Sequence, residues 1–83
     1  MNANSRVLFT IMSARQDKSV KFNELRTLLL SMGFVERVKG DHFIYSKSNI
    51  VEIINIQPDG NMAKSYQVRQ IRNIINEYGL GEE

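Results

Sequence analysis

Apolar positions recur along this chain first at helical spacing, then at strand spacing, then at helical spacing again. Val7, Leu8, Ile11 and Met12 share one face of a helix predicted over residues 4–16, with Asn4 or Ser5 as its cap. Asp17-Lys18-Ser19 is a polar break. Leu25, Leu28, Leu29 and Met32 restore the helical spacing from about Asn23. Gly33 stands where a left-handed C-terminal cap is expected, with Phe34 as the apolar residue behind it.

Beyond Phe34 the period shortens. Residues 34–39 predict a short mixed strand, Gly40-Asp41 a turn, residues 42–47 a second strand and Ser48-Asn49 a second turn. Residues 50–56, rich in β-branched side chains, predict a third strand. Turns this short favour an antiparallel meander. Residues 57–65 form a polar loop with a Pro58-Asp59-Gly60 turn. A last helix over residues 65–78 carries Val68, Ile71, Ile74, Ile75 and Tyr78 as its stripe, with Gly79 as its stop and Leu80 folding back. The order α-α-β-β-β-α predicts a two-layer α+β domain, with the helices on one face of a three-stranded antiparallel sheet. Alternation groups His42 with Ile44 and Phe43 with Tyr45. Both groups contain apolar side chains, so the pattern leaves the buried face open.

Composition narrows the options. Eighty-three residues make one domain, in which folding hides only about 60–65% of the surface of the unfolded chain. There is no cysteine, which excludes disulfides and thiolate metal sites, and one histidine cannot build a His-rich metal site. No metal or cofactor is expected. No apolar run approaches the ~18–20 residues of a membrane span. The polar start, with Arg6 and Arg15 flanking few apolar residues, does not resemble a secretory signal. The expectation is a cytoplasmic protein with no membrane partner. A net charge of +2 permits nucleic-acid binding without demanding it. Glu82 and Glu83 lie in the tail, so the body is more basic than the total.

The candidate chemistry centres on His42, the only histidine. It follows a glycine turn, opens a strand, and can give and take protons near neutral pH. Asp41 reads as a turn residue, or as a carboxylate against His42 if the turn is irregular, because strand neighbours point to opposite faces. Lys39, Lys47, Tyr45 and Tyr66 are candidate partners of the histidine. Tyr45 also reads as core. Lys64 precedes the last helix, whose start attracts phosphate through free N–H groups and the helix dipole. Arg69 and Arg72 share a face away from the apolar stripe. With Lys64 they read as an RNA backbone clamp or as a solvated helix face. Arg37 and Lys39 extend the same basic set.

Several of these segments resemble one family. Met32-Gly33-Phe34, Lys39-Gly40-Asp41-His42, Tyr45, Asn55-Ile56-Gln57-Pro58-Asp59-Gly60, Ala63-Lys64-Ser65-Tyr66-Gln67-Val68-Arg69-Gln70 and Tyr78-Gly79-Leu80 are similar to HicA-type toxins, the ribonuclease half of type II toxin–antitoxin pairs. The likeness spans residues 22–80 and is strongest at 40–42 and 54–72. It implies a double-stranded-RNA-binding-domain-like fold, with the helix over residues 4–16 as an addition within a single domain, 1–83. It implies an mRNA interferase that cleaves single-stranded mRNA without a metal, with His42 as general acid or base. It implies RNA contacts from Lys39, Lys47, Lys64, Arg69 and Arg72, auxiliary roles for Asp41, Tyr45 and Tyr66, and a HicB-type antitoxin as protein partner. Asp41 stands where serine is common in the family, and Ser65 where proline is expected. The alternative is a non-catalytic RNA-binding or partner-binding module of the same fold.

Overall fold

A computed structural model describes residues 2–81 of the chain. Helix α1 spans Ala3–Ser13. Its cap is Asn2, whose side chain accepts from the Ser5 N–H at 2.8 Å, so the helix starts before the expected Asn4 or Ser5 cap. It stops before Gln16 because Ala14 takes a left-handed conformation and its N–H bonds the Ile11 carbonyl. A single 3-10 turn, Asp17–Ser19, follows. Helix α2 spans Phe22–Ser31 and closes as expected, with Gly33 at φ +94° and the Phe34 N–H returning to the Leu29 carbonyl.

The sheet is an antiparallel meander of β1 (Val35–Lys39), β2 (His42–Ser46) and β3 (Ile54–Ile56), in the order β1-β2-β3. Gly40 and Asp41 join β1 to β2. Gly40 has φ +62°, which suits the first central residue of a type II′ hairpin turn and needs a glycine to avoid strain. The third strand is shorter than the expected 50–56. Asn49 turns the chain at φ +73°, and the Tyr78 hydroxyl accepts from the Val51 N–H at 3.4 Å while donating to Glu52 at 2.6 Å. Residues 51 and 52 are therefore tied to the end of the last helix instead of to β2.

The expected polar loop over residues 57–65 contains a small hairpin, β4 (Pro58–Asp59) and β5 (Met62–Ala63). β5 lies along the segment that leads into α2: Phe22 N–H bonds the Asn61 carbonyl and Ala63 N–H bonds the Val20 carbonyl, both at 2.9 Å. Helix α3 spans Ser65–Tyr78, ends at Gly79, and has Leu80 folded back onto Ile75 as predicted.

The structure settles which sheet face is buried. Tyr45, Ile54 and Ile56 are fully buried beneath the helices, with Phe43 beside them and its ring edge-on to Phe22 at 5.0 Å. Alternation then turns Val35, Arg37, Lys39, His42, Ile44, Ser46 and Asn55 to the opposite face, where none is fully buried. Val7 and Ile11 of α1 enter the same core as Leu25, Leu29, Val68 and Ile71. The N-terminal helix is thus an integral layer of the domain, each such aliphatic side chain contributing about 1.5–3 kcal/mol by burial. Among the described residues, no helix is long and apolar enough to cross a membrane.

Candidate active site

His42 opens β2 on the uncovered face, and its side chain keeps 49% of its accessible surface. Lys39 lies directly across the β1–β2 ladder from it. Directly opposed side chains on one face have Cβ atoms about 4.5–5.5 Å apart, which puts the imidazole within the span of the lysine side chain. Arg37 is one pair further along the same face, opposite Ile44.

On the other side stands β3. Phe43 pairs with Ile56 and Ile44 with Asn55, so one further step of the register brings Gln57 opposite His42. The side chains make contact. His42 Nδ1 is 3.1 Å from Asn55 Oδ1, and His42 Nε2 is 3.3 Å from Gln57 Nε2. Gln57 also donates to Asp41 Oδ2 at 3.3 Å. Asp41 Oδ1 is 3.8 Å from His42 Nε2, beyond hydrogen-bond length. Asp41 completes the tight turn, and its carboxylate is linked to the histidine by way of the Gln57 amide instead of by a direct hydrogen bond.

Gln57 is itself anchored. Gln67, on the first turns of α3, is only 2% exposed. With its amide turned to satisfy both groups, it donates to the Gln57 carbonyl at 3.3 Å and accepts from the Gln57 N–H at 3.2 Å. This buried clamp fixes the end of β3 against α3 and accounts for a polar side chain in the core.

The other candidates separate from this cluster. Tyr45 lies on the opposite, buried face, where its hydroxyl donates to Glu36 at 2.5 Å. Burial raises its pKa above the usual tyrosine value, and the Glu36 carboxylate raises it further, so it is a poor proton donor or acceptor near neutral pH. Glu36 is also gripped by Arg26 at 2.9 and 3.1 Å, which holds its carboxyl below the usual range with help from Tyr45. Arg26 covers the Phe43 ring at 4.5 Å.

Lys47 is five residues from His42, about 16 Å along an extended chain, and its amine lies over Gly33 at the end of α2. Arg72 departs furthest from the clamp reading. Its guanidinium donates to Asp17 at 2.7 and 3.2 Å and to the Ile11 carbonyl at 3.1 Å, and both side chains of the ion pair are about 15% exposed. It ties α1, the 3-10 turn and α3 together, and RNA cannot share it without breaking that tie. Arg69 is exposed, and Lys64, half-buried, is the residue from which α3 starts. Tyr66 is 55% exposed on the first turn of the same helix.

Sequence reasoning missed Asn55, Gln57 and Gln67. Asn55 and Gln57 did leave a trace, because they alternate with the buried Ile54 and Ile56 and so lie on the same side as His42. Gln67 also left a trace, because it stands four residues before Ile71 and so at helical spacing with the apolar stripe of the last helix. Among the described residues, no three His, Cys, Asp or Glu side chains cluster as metal ligands. Comparisons with protein-family models, with curated proteins and with solved structures find no match to this chain.

Proposed function

We propose that this chain is a metal-independent endoribonuclease, the HicA-like toxin component of a type II toxin–antitoxin pair, acting on single-stranded mRNA in the cytoplasm. The observation that carries the reading is an accessible imidazole on an uncovered sheet face, with polar side chains on both ring nitrogens and a lysine directly across the ladder. A dsRBD-like fold is part of the same proposal. The resemblance asks for the order α2-β1-β2-β3-α3; this chain has those elements in that sequence, with α1 added in front and the β4–β5 hairpin inserted before α3.

The chemistry follows from the groups present. His42 takes the proton of a ribose 2′-OH, the 2′-oxygen attacks the adjacent phosphorus, and the P–O5′ bond breaks. The leaving 5′-oxygen acquires a proton from the imidazolium or from water. Lys39 supplies positive charge to the phosphorane oxygens as charge accumulates. Lys64 and Arg69, at the α3 start, serve the flanking phosphates.

The chemical test is end-group analysis of RNA cleaved by the purified protein in EDTA. The reading expects 2′,3′-cyclic or 3′-phosphate ends and 5′-hydroxyls. Strict magnesium dependence or 3′-hydroxyl ends would replace this mechanism with another.

A second reading has its own observation. Val35, on the face that carries His42, is 67% exposed, and Ile53, just before β3, is 63% exposed. Exposed apolar groups at the sheet suit a protein partner, such as a HicB-type antitoxin, and a module that only binds would show the partner contact without RNA cleavage.

A further inference from the structure

The polar contacts around His42 have a direction that can be deduced one group at a time. The Asp41 carboxylate can only accept hydrogen bonds. Gln57 must therefore turn its NH2, not its carbonyl, toward Asp41 Oδ2. That same nitrogen faces His42 Nε2 at 3.3 Å. An amide NH2 only donates, so Nε2 has to present a lone pair. In the neutral ring the proton then resides on Nδ1, where Asn55 Oδ1 accepts it at 3.1 Å.

We infer that Asn55 and Gln57 are positioning residues that hold neutral His42 as its Nδ1–H tautomer, with Nε2 as the basic nitrogen. The assignment of the tautomer stands on geometry alone, and its catalytic consequence rests on the ribonuclease reading. The arrangement is supported from behind. The buried Gln67 clamps the Gln57 main chain, so the amide is delivered to the ring from a fixed point on α3. Asn55 lies within the β2–β3 ladder, which fixes the main chain from which its side-chain amide reaches the ring.

The proton inventory works for an incoming 2′-OH. The hydroxyl replaces the Gln57 amide at Nε2, donates its proton there, and leaves the ring with two N–H groups. One remains on Asn55. The other faces Asp41, whose Oδ1 is the nearest anionic oxygen to Nε2 at 3.8 Å. Asp41, by this account, holds the amide before the proton arrives and receives the imidazolium N–H afterwards. Hydrogen bonding of one ring nitrogen decides which nitrogen is free to act, and a ring in the wrong tautomer is a poor base even when correctly placed.

The chain has one histidine, so its ring nitrogens can be observed without assignment ambiguity. Long-range 1H–15N spectra of the full chain, recorded with the ring neutral, should show a protonated Nδ1 and an unprotonated Nε2. Asn55→Ala should move the ring toward the Nε2–H form, and Asn55→Asp, which keeps an acceptor, should hold it. In RNA cleavage, Asn55→Ala should lower kcat by about tenfold or more with KM little changed, and Asn55→Asp should recover most of it. A wild-type ring found as Nε2–H overturns the assignment whatever the cleavage data show. Full kcat in Asn55→Ala, where His42→Ala is inactive, overturns the positioning role and leaves the ribonuclease reading intact. If the wild type cleaves no RNA, the ribonuclease reading fails, and the spectrum alone confirms or overturns the tautomer.

Discussion

The Tyr45 hydroxyl donates to the Glu36 carboxylate at 2.5 Å across the β1–β2 ladder, on the sheet face away from His42. The two residues are a directly opposed pair, and Arg26 closes the cluster from α2. An aromatic beside a candidate catalytic histidine in sequence is thereby committed to holding helix against sheet.

Tyr45→Phe should therefore cost stability and spare chemistry. Losing a hydrogen bond to a charged acceptor costs about 1.5–3 kcal/mol. Chemical denaturation should show a lower midpoint with an unchanged slope, and RNA cleavage should stay at the wild-type rate. A folded Tyr45→Phe protein without cleavage would return Tyr45 to the active site.

Arg72 should behave in the same way, and not as an RNA contact. Arg72→Ala leaves Asp17 largely buried without its partner, at a cost of about 2–3 kcal/mol. Its RNA affinity and the salt dependence of that affinity should match the wild type once folding is assured by temperature. A flattened salt slope in Arg72→Ala would place the guanidinium on RNA after all.

Lys39, Lys64 and Arg69 provide the contrast. Alanine at each should weaken RNA binding, and each lost phosphate contact should reduce the salt slope by about one. Lys47→Ala, just past the far end of β2 from His42 and about 16 Å away along an extended chain, should have the smallest effect. Equal slopes in all four variants would make the whole set a solvated surface.

Acid should destabilise the domain through two identifiable groups. The Arg72 hydrogen bonds lower the Asp17 pKa, and Arg26 followed by Tyr45 lowers that of Glu36. A carboxyl whose folded pKa is depressed binds fewer protons in the native state than in the unfolded chain. Its contribution is fully present above the ordinary range near ~4 and is lost as pH falls through the lower folded values. Tyr45 acts at the other end. Its raised pKa favours the folded state below ~10, and that contribution is lost as pH rises through its folded value. Thermal melts from pH 2 to 7 should show a steep acid loss in the wild type and a shallower one in Asp17→Asn. Parallel profiles would remove Asp17 from the account.

The parts of the fold that were legible in the sequence are those written in local periodicity and turn chemistry. Gly33 marked the end of α2, Gly40-Asp41 marked the hairpin, and the Val68–Ile71–Ile75 stripe marked the buried side of α3. What was not legible depends on partners distant in sequence. Arg72 looks like a free surface cation until Asp17, 55 positions away, is seen against it. Residues 50–53 have strand composition, but Tyr78 on α3 takes the backbone and side-chain contacts that would extend β3. The Pro58-Asp59-Gly60 turn was legible, but not the two short strands around it, which are held by residues 20–22 lying beside them. His42 was found because it is the only imidazole, whereas Asn55 and Gln57 gained meaning only from the β2–β3 register.

The central claim is that His42 performs the proton transfer of RNA cleavage. The most direct measurement compares wild type and His42→Ala on one single-stranded RNA, with folding of both verified by circular dichroism and thermal melting. The imidazole is half-exposed at the start of a strand, so its removal should leave the fold intact. The account predicts a folded His42→Ala protein whose cleavage is reduced by at least about 100-fold, the lower range for loss of a general acid–base group. A folded His42→Ala protein that cleaves at the wild-type rate would contradict it.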